Sequence, residues 1–227
     1  MTGRTYGQYC GLARALELVG ERWAMLVVRD LLLGPKRYAD LRETLYRIPP
    51  SMLSARLNEL EQAGVVRRRV LANLDAAVVY ELTDYGSELE TIVLQLGLWG
   101  ARSLGDMAED DIFTLDSAVL SLYTTFRPDM AVGFRATYQV HYGPSIVVHA
   151  MVDDGALKAA EGAHPDADVV IDVLGPFKAV LTGALSPREA SDAGLIRVSG
   201  DLDLLDRFGD LFRIPPAPVP TEGLVVR

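Results

Sequence analysis

A mainly helical first half followed by an α+β second half is the fold class that this 227-residue sequence predicts. Three observations carry it. Up to about residue 105 the apolar residues recur at helical spacing, whereas from Phe134 they alternate with polar ones at period two. The charge changes at the same place: residues 1–105 hold 13 Lys/Arg against 12 Asp/Glu, and residues 106–227 hold 9 against 19. A chain of this length also readily divides into two domains.

The first helix is expected over GLARALELVG, 11–20, with Leu12, Leu16 and Val19 on one side. A second runs from Glu21 to Leu33 and is apolar on several faces, so it is expected to be buried from more than one direction. Gly34-Pro35 ends it. The organising stretch follows, Tyr38 to Leu82. Leu41 and Leu45 mark one short helix, Pro49-Pro50 a stiff turn, and Leu53, Leu57 and Leu60 the buried face of another, with Ser51, Ala55, Asn58 and Gln62 opposite. Pro50 suits a first helical position, but Pro49 has no side chain to cap with. Residues 65–70 and 78–82 then read as a hairpin with Arg67-Arg68-Arg69 at its base. A helix pair and a basic hairpin together make a winged helix-turn-helix, whose second helix enters a DNA major groove. A structural helix pair with a solvated charge run is the competing account.

Composition bears on that choice. The net charge of −9 counts weakly against a nucleic acid, yet residues 36–72 hold 8 basic against 4 acidic side chains. Ser54 and Asn58 are placed to read or lie near base edges, with Ser51 beside them. Lys36, Arg37, Arg56, Arg67, Arg68 and Arg69 are placed to meet phosphates.

Thr83-Asp84 caps a long helix expected over Tyr85 to about Leu104. Leu89, Ile92, Val93, Leu96 and Trp99 line one side, and Leu94 and Leu98 load the other. A helix apolar on two faces has one for the core and one for a dimer interface, here assigned to Leu94, Leu98 and Trp99. Packing against the second half is the alternative. The domain boundary is expected in Gly105–Asp111, and 106–123 as a helical bridge.

Domain two is expected over 124–213, with 214–227 as a Pro-rich tail. Strands are read at 134–142, 146–152, 156–160, 168–173 and 195–199, and helices around Phe177–Leu181, after the capping box Ser186-Pro187-Arg188-Glu189, and at Leu204–Phe212. The apolar sheet stripe of Phe134, Ala136, Tyr138, Val148 and Ala150 faces Phe177, Leu181, Phe208 and Phe212. These residues suit an oily pocket, with Tyr138 as an orienting hydroxyl, or else an ordinary core.

Catalytic chemistry is not indicated. No glycine-rich loop follows a strand, and nothing in the second half supplies an activated nucleophile with its base. His141, His149 and His164 lack metal-ligand spacing, so neither metal nor cofactor is expected. His141 and His149 are expected to face one another across the 143–145 turn, on the solvent side. The single Cys10 rules out an intrachain disulfide and fits a reducing compartment. Its place before the first helix suits either a redox sensor or a buried small hydrophobe. With no run of about 18 apolar residues, a soluble cytoplasmic protein is expected.

Residues YCGLARALELVGERWAMLVVRDLLLGPKRYADLRETL, IPPSMLSARLNELEQAGVVRR and VYELTDYGSELETIVLQLGLWG resemble the HxlR-type winged-helix transcription factors. The resemblance implies a dimer that reads inverted-repeat DNA, with the first and last helices at its interface. It puts Cys10 on a cysteine that some members use to sense oxidants, with Gly11 where Pro is usual. It also puts Pro49 where a Ser is usual, which removes a cap and a phosphate contact. Residues 124–213, through PDADVVIDVLGPFKAVLTGALSPREASDAGLIRVSGDLDLLDRFGDLF, resemble a sterol-carrier-protein-type domain, which implies an apolar ligand tunnel. The combined expectation is a homodimeric repressor modulated by a hydrophobic small molecule. The alternatives are a carrier or enzyme with the winged helix as scaffold, and a switch through Cys10.

Overall fold

A computed structural model describes residues 5–71, 77–105, 107–108 and 110–217. The chain divides into two compact units, Met1–Val93 and Leu94–Arg227. That division falls earlier than the Gly105–Asp111 stretch.

In the first unit, α1 (Gly11–Val19) and α2 (Ala24–Leu31) precede a short strand β1 (Lys36–Arg37), α3 (Tyr38–Thr44), α4 (Pro50–Gln62), β2 (Val66–Leu71) and β3 (Ala77–Leu82). The expected second helix starts three residues late. Trp23 adopts a left-handed backbone (φ +78) that breaks the chain between α1 and α2. α1 buries Ala13 and Val19 and leaves Leu12 and Leu16 exposed, so only part of the expected stripe faces the core. That core gathers Val27, Val28 and Leu31 of α2, Leu41 and Leu45, Ile48, and Leu53, Leu57 and Leu60 of α4, closed by Val65 and Val66. The most deeply buried ionisable side chain beside it among the described residues is Asp30, which accepts from Arg29 and from the Thr44 hydroxyl. Such a carboxylate is tolerated only because both partners satisfy it, and in doing so it ties α2 to α3.

The long helix expected after the hairpin is broken. Thr83 caps α5 (Asp84–Ser87) by accepting from Gly86 N at 3.0 Å, and α6 (Glu90–Ala101) follows two residues later. Gly86 lies so close to the Val65 carbonyl that a Cβ would overlap it. Seating α5 there interrupts the helical path, and Leu89 N bonds back only to Gly86 O. Gly86 therefore stands where no other residue fits.

The second unit takes in α6 from Leu94 onward and continues with α7 (Leu115–Thr125). Of the 106–123 stretch expected as a helical bridge, α7 packs within this unit through Ala118, Val119 and Leu122, which are buried in its core. Strands β4 (Arg135–Tyr142), β5 (Ile146–Asp153), β6 (Ala156–Glu161) and β7 (Val169–Val173) lead to α8 (Lys178–Thr182) and α9 (Pro187–Asp192). β8 (Ile196–Gly200) and α10 (Leu202–Leu211) complete it. The sheet order is β6-β5-β4-β7-β8, with only β4 and β7 parallel. The β5–β6 hairpin turns at Asp154 (φ +46) and Gly155 (φ +83), the positive pair that a two-residue hairpin demands. At the free edge of β6 the Tyr123 hydroxyl accepts from Ala159 N at 2.9 Å and donates to Ala159 O at 3.1 Å.

Alternation puts Ala136, Tyr138, Val140, Val148, Ala150, Val169 and Ile171 on one face, under α7 and α10. The residues expected to line a tunnel close on one another there. Phe208 stacks on Phe212 at 4.7 Å and meets the Tyr138 ring edge-on at 5.2 Å, and Phe177 lies 5.8 Å from Phe208. The Tyr138 hydroxyl, expected to orient a ligand, instead donates to Leu204 O at 2.8 Å. Phe134 and Leu181 pack at the margin of the same cluster. The opposite face is mixed, with Thr137, Gln139, His141 and His149 beside Val147, Met151 and Val170. His141 and His149 share it without facing one another, since His149 pairs with Gln139 across the hairpin and His141 with Val147. His141 bonds Asp172 at 2.8 Å, and the His149 ring lies 5.2 Å from that of His164. The capping box at Ser186 forms as expected. Residues 215–217 carry no regular structure, and the rest of the Pro-rich tail lies outside the described residues.

Because Phe208 is fully buried among three other rings, Phe208→Ala is expected to destabilise this unit by about 3–5 kcal/mol. A urea titration followed by tyrosine fluorescence and circular dichroism measures it.

Candidate nucleic-acid interface

The placement of α4 starts with its apolar side. Leu53, Leu57 and Leu60 are at most 1% exposed, so the helix has one rotational setting. Ser51, Met52, Ser54, Asn58, Glu59 and Gln62 are then left exposed on the other side. Apart from Met52 these are small or polar, and they form a surface that can approach base edges closely. Pro49 stands at the N-cap without a side-chain bond, as its chemistry requires, and Pro50 opens the helix. A bond that the sequence does not suggest compensates. Tyr38, the first residue of α3, donates its hydroxyl to Pro50 O at 2.9 Å and accepts from Ser54 at 3.3 Å. The two helix starts are thereby latched to each other, and Ser54 points into that latch.

Lys36 and Arg37 form β1, a third strand on the hairpin, with Lys36 opposite Tyr80 and Arg37 opposite Val79. Arg37 is exposed, and its backbone N–H donates to Asp40 Oδ2, which opens α3. Arg56 departs from expectation. Its side chain is only 11% exposed and pairs with Glu59 at 2.6 Å and Glu21 at 3.7 Å, so it supports α4 and does not reach outward.

The Arg67–Arg69 run does not present one face. Strand alternation sends Arg67 and Arg69 to one side, where both clamp Glu81 (2.8 and 2.9 Å), and Arg68 to the other, where it pairs with Glu61 at 2.8 Å. All three stay about half exposed. The hydrogen bond from Arg67, with the Arg69 bond and both charges, holds the Glu81 carboxyl below the usual carboxylate range. The hairpin tip, residues 72–76, lies outside the described residues.

α6 carries the residues assigned to dimerisation. None of its residues is buried. Trp99 is 68% exposed, with Ile92 and Leu96 beside it at 56% and 51%. Leu94 and Leu98 are only half-buried, so of the residues assigned to dimerisation Trp99 stands on the more open face and the two leucines on the less open one. Cys10 is exposed at the N-cap of α1 and makes no capping bond, which excludes the buried reading. Among the described residues no group of three His, Cys, Asp or Glu can hold a metal ion, and no helix is long and apolar enough to cross a membrane.

A carboxyl held low in the folded state contributes stability that is complete above its unfolded value, about 4.3, and is lost as pH falls through the folded value. The hairpin is therefore expected to loosen below about pH 4. Glu81→Gln should flatten that acid dependence, as read by amide hydrogen exchange in β2 and β3.

Comparison with known proteins agrees with this geometry. Residues 18–107 match the HxlR-like helix-turn-helix family. The HTH-type transcriptional regulator YodB of Bacillus subtilis is 39% identical over 85 residues, which are 37% of this chain and 76% of YodB. The regulator YtcD of the same organism is 35% identical over 106 residues, 47% of this chain and 84% of YtcD. Among solved structures, the redox regulator HypR in its oxidized form is 35% identical, with 43% of this chain and all of HypR covered at a TM-score of 0.40. With three quarters or more of two regulators matched above 30% identity, this chain belongs to the HxlR-like helix-turn-helix family of transcriptional regulators.

Proposed function

We propose that the protein is a homodimeric DNA-binding repressor whose second unit receives a small-molecule effector. The observation that carries the DNA reading is the exposed, small and polar face of α4, locked outward by Leu53, Leu57 and Leu60 beside the half-exposed arginines of the hairpin. In this reading Ser51 and Asn58 meet base edges, and Lys36, Arg37, Arg67 and Arg69 meet phosphates. Ser54 contributes mainly through the Tyr38 latch. Exposed ion pairs are worth only about 0–1 kcal/mol, so Arg67 and Arg69 can trade part of Glu81 for a phosphate at little cost.

The dimer reading rests on α1 and α6. Leu12, Leu16, Ile92, Leu96 and Trp99 all stand open to solvent in the single chain, more apolar side chains than isolated surface positions account for. Two α4 helices in a twofold dimer would reach half-sites about 34–36 Å apart. The effector reading rests on the separate, acidic α+β unit. A hydrophobic effector would have to part Phe208 and Phe212 from Tyr138 to enter. Effector binding would then act by favouring a spacing of the two α4 helices that the operator does not match.

The test is DNA selection from genomic fragments, followed by shift assays across salt concentrations. Asn58→Ala is expected to weaken the selected site by about 1–3 kcal/mol while sparing nonspecific binding. Arg67→Ala with Arg69→Ala should weaken all sequences and lower the salt slope by about 0.9 for each phosphate no longer neutralised. Unchanged binding in both variants would remove the interface from this face. Charged replacements at Ile92, Leu96 and Trp99 are expected to give folded monomers in sedimentation, with most operator affinity gone.

A further inference from the structure

The second unit has an open cleft of about 460 Å³ between the Gly183–Pro187 segment and α10. It lies apart from the packed stack of Tyr138, Phe208 and Phe212. Arg213 projects into it from a backbone that is held on both sides. Its own N–H donates to Thr125 O at 2.7 Å, and that of Ile214 donates to Leu181 O at 2.8 Å. The guanidinium rests on Gly183, whose left-handed backbone (φ +72) and missing Cβ leave the space; a Cβ there would overlap it. Among the described residues this guanidinium makes no hydrogen bond or ion pair. The neighbouring arginines are occupied: Arg188 by Asp206 at 2.7 Å and Arg207 by Asp210 at 3.1 Å.

A positioned guanidinium without a partner, set in a cleft, presents a planar fork of donors that matches a carboxylate. The remaining lining fixes the other end of the ligand. Glu189, Asp206 and Asp210 border the same space. Each carboxylate has more acceptor sites than its present bonds occupy. A purely anionic ligand would meet three like charges, and a purely cationic one would leave Arg213 unmatched. We propose that this cleft binds a small zwitterion of amino-acid type, its carboxylate on Arg213 and its ammonium toward Glu189, Asp206 and Asp210. As the effector site, the cleft rests on the reading of the second unit given above. As a binding site, it stands on its own geometry.

The experiment uses the full chain without DNA. Each of the twenty common amino acids is titrated calorimetrically, beside propylamine and propionate as probes carrying one charge. At least one amino acid is expected to bind, and neither single-charge probe to bind comparably. Arg213→Gln should weaken that binding about tenfold or more, with Arg213→Lys recovering part of it. Asp210→Asn should weaken it several-fold. Circular dichroism confirms that each variant is folded. No binding by any amino acid, equal binding by propionate, or unchanged affinity in folded Arg213→Gln would overturn the proposal. A shift assay with the bound amino acid separates the two readings. Binding with unaltered DNA affinity supports the cleft and counts against its role as effector site, whereas altered affinity supports both.

Discussion

Burial of Leu53, Leu57 and Leu60 decides which side of α4 meets the outside, and most of what the first unit offers follows from that. A helix with a weaker apolar face would rotate by small amounts and blur the surface made by Ser51, Asn58 and Gln62. Here the three leucines share one core with Val27, Val28 and Leu31 of α2 and Leu41 of α3. Each such leucine contributes roughly 2–5 kcal/mol when judged by truncation. Beside that, the missing cap at Pro49 is a loss of about 1 kcal/mol. The Tyr38 latch onto Pro50 offsets part of it and fixes the angle of the turn.

Electrostatics in the hairpin follow from the same geometry. The strand period separates the three consecutive arginines, and each side supplies one glutamate to hold them. The result is a surface with less free positive charge than the count of basic residues suggests, but with better-ordered cations. Ordered guanidinium groups lose less freedom on meeting a phosphate than free ones do.

Much of this is legible in the sequence, and the failures have physical causes. Period-two alternation locates all five strands of the second unit to within a residue or two, because alternate residues turn toward the core. Leucine spacing locates α3 and α4 for the equivalent reason. Helix continuity is harder. Nothing in Glu21–Leu33 signals a left-handed Trp23, and the break before α6 depends on a carbonyl approach at Gly86 that is distant in sequence. Individual side chains are harder still. Arg56 reads as outward because it is charged, yet Glu59 and Glu21 draw it inward. The apolar stripe of the sheet is identical in composition whether it lines a tunnel or a core, and only the fit of Phe208 and Phe212 against Tyr138 distinguishes the two. The placement of Arg213 carries no signal either, since it depends on the absence of a side chain at Gly183, 30 positions earlier.

The phenol of Tyr123, seated on Ala159 at the open border of the sheet, has a consequence for how the protein behaves at high concentration. β6 is an outermost strand, and an outermost strand with unoccupied amides is a template on which another chain can zip. By taking both the donor and the acceptor of the central outward residue, the ring interrupts the row that an incoming strand would need. This border of the sheet is thereby guarded against strand addition by a side chain that also packs against the core, so the safeguard lasts only as long as α7 stays folded in place.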